Sequence, residues 1–124
     1  MAVIGVGIDA VEIDRFRELL ARRTTMRERL FSPDELAAVA ERVDPAPSLA
    51  ARFAAKEAVM KSLGLGLGAF GFHDCEILRA DSGAPLLRTS GLLIGLEREH
   101  GVTRWHVSLT HTDTSAQAIV LAES

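Results

Sequence analysis

The stretch 51–64, ARFAAKEAVMKSLG, predicts an α-helix with apolar side chains on much of its surface. Ser48 offers an N-cap hydroxyl before it and Gly64 is suited to end it, so we expect a helix from Ser48 to about Leu63. At about 100° per residue, this helix presents one face of large apolar side chains and one of small ones that allow close packing. The large residues are Phe53, Val59, Met60 and Leu63, and the small ones are Ala54, Ala55 and Ala58.

The same stretch holds both lysines of the chain, whereas the other twelve basic residues are arginines. Glu57 and Lys61 share one helix face at the i, i+4 spacing typical of a surface ion pair, which is one interpretation of them. Lys56 falls within the large apolar face, where an ammonium group must find a partner or reach water. We therefore expect Lys56 to snorkel past the core or to lie at a cleft between subunits.

An N-terminal β-strand is predicted over Val3–Val11, where β-branched residues dominate. Gly5 and Gly7 interrupt this strand, and glycines within strands often mark the close approach of another backbone or a ligand. Asp9 lies near the C-terminal end of the strand, where it is also suited to a turn or an N-cap before the next helix, predicted over Glu12–Leu20.

In the rest of the chain, the predicted helices and strands do not alternate one by one. Ser32, Pro33 and Glu35 predict a helix that begins with a capping box, and a proline-rich loop follows at 43–48. The later elements are strands Cys75–Arg79 and Pro85–Arg88, a helix capped by Thr89 or Ser90 that ends near His100, and strands Arg104–Thr110 and Ala116–Ala122. This order predicts an α+β fold, a mostly antiparallel sheet packed with helices, in a single domain over residues 1–124.

Composition narrows the class of function. The chain has 124 residues, 48% apolar, and a net charge of −3, which gives no overall reason to expect nucleic acid or a membrane as partner. Its one cysteine, Cys75, excludes an intrachain disulfide and fits a reducing, cytoplasmic environment. Neither a signal peptide nor a transmembrane helix is expected, because no long apolar run is present.

Two carboxylates, Asp9 and Glu57, form the first candidate site, provided that the fold brings them together. Mg²⁺ takes one or two protein carboxylates and completes its shell with water and phosphate oxygens. Lys61, on the helix face of Glu57, would then offer an ammonium group to a phosphate beside the metal.

A glycine-punctuated loop and one histidine are weaker candidates. Gly64 and the glycines that follow it could bring backbone N–H groups close to a phosphate, or form a flexible loop after the helix. His111 ends a strand, a position more typical of a turn residue than of a catalyst. No Ser-His-Asp arrangement and no Cys/His metal-binding spacing is present.

Residues 15–29 carry six arginines and two acidic residues, six minus two giving a local charge of +4. This segment is either a solvated helix face or a docking surface for an acidic protein. Because aromatic residues are few there, a nucleic-acid surface is the less favoured alternative.

Four segments together resemble the holo-[acyl-carrier-protein] synthase family, the small 4'-phosphopantetheinyl transferases. They are GVGIDAVEIDRF at 5–16, FSPDEL at 31–36, ARFAAKEAVMKSLG at 51–64 and WHVSLTHTDTSAQAIVLAE at 105–123. The resemblance implies transfer of 4'-phosphopantetheine from coenzyme A to a serine of an acyl carrier protein, for fatty-acid or polyketide synthesis, with release of adenosine 3',5'-bisphosphate. It also implies a requirement for Mg²⁺ and a homotrimer with coenzyme A in clefts between adjacent subunits.

The resemblance also implies roles for individual residues. Asp9 and Glu57 match the family's metal-binding carboxylates, and Lys61 matches its phosphate-contacting lysine. Positions that line the coenzyme A cleft are matched by Arg52, Gly64 and His111. The surface that docks the carrier protein is matched by arginines of the first helix region, for which we take Arg15, Arg22 and Arg23.

In the expected mechanism Glu57 is the base for the carrier serine and Lys61 stabilises the departing bisphosphate. Two departures from the family pattern stand out: Ala84 occupies a position where relatives often have lysine, and Thr110 replaces serine but keeps a hydroxyl. Two other functions remain open, a Mg²⁺-dependent diphosphate hydrolase that uses the same carboxylates, and a non-catalytic module that binds acidic proteins through residues 15–29.

Overall fold

Two antiparallel sheets and five helices make up the fold, and the computed structural model describes residues 1–124. The larger sheet has the strand order β1-β5-β4, with β1 at Val3–Glu12, β4 at Arg104–His111 and β5 at Ser115–Glu123. The smaller sheet pairs β2, Cys75–Arg79, with β3, Pro85–Thr89. The helices are α1 Ile13–Arg22, α2 Met26–Leu30, α3 Pro33–Ala38, α4 Ala46–Ser62 and α5 Leu92–His100. The prediction of an α+β fold with antiparallel strands is confirmed.

The central helix α4 begins at Ala46, two residues before its predicted start. Pro47 lies in the first turn, where its fixed φ suits a helix and its missing N–H costs no hydrogen bond. Ser48 is therefore already helical, so its predicted role as N-cap is wrong. Its hydroxyl instead accepts a hydrogen bond from the guanidinium of Arg52, one turn later.

The start of α5 was predicted at the wrong residue, and α2 was not predicted at all. α5 follows Gly91 rather than Thr89 or Ser90, and the Asp74 carboxylate accepts a hydrogen bond from the Leu92 N–H at 3.2 Å. A carboxylate distant in sequence therefore replaces the predicted hydroxyl cap. The five-residue helix α2 within the arginine-rich segment was not predicted.

Strand β1 packs against α4 backbone to backbone. A Cβ added to Gly7 would lie 1.8 Å from the carbonyl oxygen of Ala58, and one added to Gly5 would lie 1.8 Å from that of Ser62. The two glycines thus permit the close approach that the sequence indicated. As a result, the first half of β1 lies beside the second half of α4.

Helix α4 separates two hydrophobic clusters, one shared with the sheets and one shared with α1, α2 and α3. Fully buried large side chains occur in both, among them Leu49 and Phe31 on one side and Met60 and Ile77 on the other. None of the five helices has the length and apolar character of a membrane-crossing segment.

Lys56 lies inside this core with 0% of its side chain exposed. Its ammonium group is 2.7 Å from a carboxylate oxygen of Glu35, which is equally buried. The expectation that Lys56 snorkels to water or lies at a subunit cleft is wrong, because α3 supplies a buried counterion.

Candidate functional site

Asp9 and Lys61 meet where β1 ends beside α4. The Lys61 ammonium donates hydrogen bonds to Asp9 Oδ1 at 2.9 Å and to the Ile8 carbonyl at 3.1 Å. The lysine side chain is 54% exposed and the aspartate side chain 19% exposed. Lys61 therefore pairs with Asp9 rather than with Glu57, and the i, i+4 ion pair between Glu57 and Lys61 is not formed.

Glu57 lies in the same groove as Asp9, on the helix turn before Lys61. Partial burial raises the pKa of its carboxyl group, and the negative charge of Asp9 raises it further, while Lys61 acts in the opposite direction. A carboxylate with a raised pKa is a better proton acceptor than an ordinary glutamate when it is ionised. A groove in which the charge of one carboxylate raises the pKa of the other is also a place where a cation is favoured.

The donor set of this groove suits a hard divalent cation. Asp9 and Glu57 supply carboxylate oxygens, and no cluster of three or more potential ligand side chains occurs in the chain. Mg²⁺ accepts two protein carboxylates when water and substrate phosphates complete its octahedral shell. The residues therefore fit Mg²⁺ bound together with a phosphate, and do not fit an enclosed structural metal site.

Arg52 and His111 lie in a different cavity, between the smaller sheet and the end of β4. Arg52 is 4% exposed, and its Nε donates a hydrogen bond to the Ile77 carbonyl at 2.9 Å. Burial lowers the pKa of its guanidinium group, and the positive charges of Arg42 and Arg79 lower it further. This concentration of positive charge around a cavity suits a polyanionic ligand such as a phosphate ester.

Sequence reasoning missed Arg42 and Arg79, which line the cavity of Arg52. They come from a turn after α3 and from the end of β2, and only the tertiary fold places them together. The one available signal was that Arg79 ends a strand next to a glycine-containing turn. Gly64, by contrast, terminates α4 with a φ of +71° and lines neither this cavity nor the groove of Asp9.

The three predicted docking arginines line two different grooves. Arg15 and Arg22 line the groove of Asp9 and Glu57, together with Phe53. Arg23 faces a neighbouring groove, which Arg29, Phe72 and His73 also line. Arg17, by comparison, is held by Asp14 at 2.5 Å and Asp44 at 2.6 Å. Besides Lys61, the positive charges of this groove are thus those of Arg15 and Arg22.

Comparison with known proteins gives matches over nearly the whole chain. A family model described as the 4'-phosphopantetheinyl transferase superfamily matches residues 5–122. The holo-[acyl-carrier-protein] synthase of Streptomyces avermitilis is 48% identical over 123 residues, which is 99% of each chain. Each of the two sequences is therefore matched almost from end to end.

Two solved structures extend this similarity to the fold. The holo-[acyl-carrier-protein] synthase of Neisseria meningitidis has a TM-score of 0.90 at 30% identity, covering 99% of this chain and 100% of that one. The corresponding synthase of Bacillus anthracis, in complex with CoA (3',5'-ADP), has a TM-score of 0.82 at 31% identity, covering 98% of this chain and 97% of that one.

Proposed function

The chain belongs to the 4'-phosphopantetheinyl transferase superfamily, and on this premise we propose that it is a holo-[acyl-carrier-protein] synthase. The reaction joins 4'-phosphopantetheine from coenzyme A to a serine of an apo acyl carrier protein and releases adenosine 3',5'-bisphosphate. The observation that carries the proposal is the grouping of Asp9, Glu57 and Lys61 at the junction of β1 and α4. Neither a docking module nor a purely structural domain needs this grouping.

Asp9 and Glu57 are the proposed metal ligands. Bound there, Mg²⁺ would supply charge neutralisation for the diphosphate of coenzyme A. In the proposed mechanism the serine hydroxyl attacks the phosphorus attached to pantetheine, and the bond from that phosphorus to the adenosine bisphosphate oxygen breaks. Glu57 takes the serine proton, directly or through one water, in accord with its raised pKa.

Lys61 is the proposed stabiliser of the departing bisphosphate. Its exposed ammonium is held by Asp9 and a backbone carbonyl, so it can turn toward an incoming phosphate without unfolding the helix. Arg52, Gly64 and His111 are assigned to the coenzyme A cleft, and the arginines beside Arg52 add positive charge for its phosphates. Arg15, Arg22 and Arg23 are assigned to docking of the acidic carrier protein.

A homotrimer accounts for the separation of the two halves of this site. Asp9 and Glu57 line one cavity and Arg52 and His111 another, and we propose that a cleft between adjacent subunits brings the carboxylates of one subunit and the Arg52 cavity of the next around a single ligand. The outer face of the larger sheet also leaves apolar side chains in solvent, with Val6 at 54%, Ile8 at 63% and Ile119 at 38% exposure. We place the active sites between adjacent subunits, each subunit being one transferase domain over residues 1–124, acting in the cytoplasm in fatty-acid or polyketide synthesis.

Mass spectrometry of an apo carrier protein tests the proposal. Incubation with the chain, coenzyme A and Mg²⁺ should add the mass of one phosphopantetheine. Release of phosphopantetheine from coenzyme A without carrier protein would indicate a diphosphate hydrolase instead. No change in either mixture would leave only a binding module.

Two variants test the assigned roles separately. Glu57→Gln should lose transfer by about 100-fold or more, because one amide cannot replace both a metal ligand and a base; near-full activity would remove Glu57 from the mechanism. Charge reversal at Arg22 and Arg23 should raise the KM for carrier protein and leave the KM for coenzyme A unchanged. An unchanged KM for carrier protein would show that docking uses another surface.

A further inference from the structure

The ammonium group of Lys56 is saturated by three acceptors within the core. Glu35 Oε1 accepts at 2.7 Å, the Phe72 carbonyl at 2.7 Å and the Cys75 carbonyl at 2.6 Å. The ring of Phe31 lies 5.5 Å from the same nitrogen. Three N–H donors thus meet three converging oxygens, and this is why the position holds one of the two lysines: a planar guanidinium cannot direct its donors this way.

Glu35 is bound at both of its carboxylate oxygens. Oε1 also accepts the Ser32 N–H of the capping box at 3.0 Å, while Oε2 accepts the backbone N–H of Ile77 at 3.0 Å. The buried carboxylate therefore connects α3, α4 and β2. Every buried polar side-chain atom in the chain has a hydrogen-bond partner. One member of this network therefore cannot move without breaking a hydrogen bond of another.

The backbone of Ile77 connects this network to the cavity of Arg52. Its N–H is held by Glu35, and the carbonyl of the same residue accepts the hydrogen bond from Arg52 Nε at 2.9 Å. Ser48 Oγ accepts from a terminal nitrogen of the same guanidinium. Arg52 is therefore oriented through β2, and the charge of Glu35 favours its protonated form.

We propose that Glu35, whose buried charge Lys56 balances, is a positioning residue that fixes the guanidinium of Arg52 through the backbone of Ile77, and thereby sets affinity for the adenosine bisphosphate part of coenzyme A. The inference rests on the proposed function, in which Arg52 lines the coenzyme A cleft. Glu35 acts by positioning, since its fully buried side chain cannot touch a ligand, and Lys56 is its equally buried counterion.

A matched pair of double variants separates positioning from stability. Replacing both members of a buried ion pair avoids the penalty of leaving one charge alone. Both variants leave the Phe72 and Cys75 carbonyls without the Lys56 donor, so this shared cost cancels when the two are compared. Glu35→Gln with Lys56→Met keeps an amide oxygen that can accept the Ile77 N–H. Glu35→Leu with Lys56→Met has the same Lys56 change and removes that acceptor.

Isothermal titration of the intact protein with adenosine 3',5'-bisphosphate is the measurement. The Kd of the Gln/Met variant should stay within about threefold of the parent, and that of the Leu/Met variant should be weaker by about tenfold or more, the usual effect of a lost hydrogen bond near a charged group. In an Arg52→Gln background the difference between the two should vanish, which a general loosening of the fold would not produce. Equal Kd values, or a difference that persists without Arg52, would overturn the inference.

The parent protein supplies a second measurement if the Leu/Met variant does not fold. Saturation with adenosine 3',5'-bisphosphate should slow amide hydrogen exchange of Ile77 several-fold more than that of Val120, in the other sheet. Equal slowing of the two amides would also overturn the inference. If the parent binds neither coenzyme A nor the bisphosphate, the proposed function itself fails; if the parent binds and the variants match it, only the positioning role fails.

Discussion

Replacing Gly7 by alanine tests the packing of β1 against α4 most directly. The new Cβ would lie 1.8 Å from the carbonyl oxygen of Ala58 and 2.9 Å from the amide nitrogen of Ser62. Both atoms are helix backbone, so no side-chain rotation relieves the clash. Because real Cβ atoms essentially never approach closer than 3.0 Å, strand and helix must separate by at least the 1.2 Å between 1.8 and 3.0 Å.

The expected cost follows from the rigidity of the obstacle. Overpacking in a close-packed region costs about 1–3 kcal/mol, and an immovable carbonyl places Gly7→Ala at the upper end of that range or beyond it. For a domain of this size, about 3–6 °C of Tm is lost per kcal/mol, so we expect a fall of about 10 °C or more. The same separation would move Asp9 of β1 away from Glu57 of α4, the other proposed metal ligand, so transfer activity should fall as well.

Scanning calorimetry of Gly7→Ala, with Gly95→Ala as the control, measures this loss of Tm. Gly95 lies in α5, and a Cβ added there meets nothing within 4 Å. Alanine is a better helix former than glycine by about 1 kcal/mol, so this control should keep or raise the Tm. If the two variants unfold at the same temperature, β1 does not pack on α4 as described and the reasoning is refuted.

Three further predictions concern single side chains. Burial raises the pKa of the Cys75 thiol to about 12, so a thiol reagent at neutral pH should label the protein only after unfolding; rapid labelling of the native protein would contradict its burial. Hydrogen bonds from Arg88 hold the pKa of Glu76 below its usual value, so the stabilisation is present above the unfolded-state pKa and is lost as the pH falls through the lower folded-state value. The difference in Tm between the parent and Glu76→Gln should accordingly be largest at neutral pH and should disappear in acid. A Tm difference that does not change with pH would show that the charge of Glu76 is not its source. Lys61→Met should lower kcat by about 100-fold with little change in Tm, because the side chain is half exposed, and an unchanged kcat would remove it from the reaction.

Local patterns predicted those elements whose determinants are neighbours in sequence. The capping box of Ser32 and Glu35 is present as the spacing indicated, and Gly101 ends α5 with a φ of +73°. The glycines of β1 likewise signalled a close backbone approach before the helix that makes it was located. For the capping box and Gly101 the physical cause lies within a few residues of the signal, whereas the glycines of β1 meet Ala58 and Ser62, more than 50 residues later.

The errors arose where the partner is distant in sequence. Lys56 was correctly placed on an apolar face, yet its counterion is the capping-box glutamate Glu35, 21 residues earlier. Ser48 is an exception, because both determinants are near in sequence: Pro47 extends the helix backwards, and the guanidinium of Arg52, one turn later, donates to the Ser48 hydroxyl. A buried lysine needs an acid, and Glu35 at the start of a short helix was the available candidate, but only the packing of α3 on α4 selects it.

The candidate site was predicted in part for the same reason. Asp9, Glu57 and Lys61 were chosen by residue type and family resemblance, and the fold brings them to one junction. Arg42 and Arg79 carried no motif, because a cavity lined from a turn and a strand end has no sequence period. The sequence also did not predict that Asp9 and Arg52 would lie in different cavities, because this depends on how the strands pack around α4.

The pairing of β1 with β5 has a consequence for how the molecule is made. Asp9 lies opposite Ala118, 109 positions further along the chain, so the ladder that supports it joins the first strand to the last. Pairings so distant in sequence close slowly, and during synthesis they must wait for the C-terminal strand to leave the ribosome. A nascent chain that stops before Ser115 would hold Asp9, Glu57 and Lys61 but would have no β5 to fix the strand that carries Asp9.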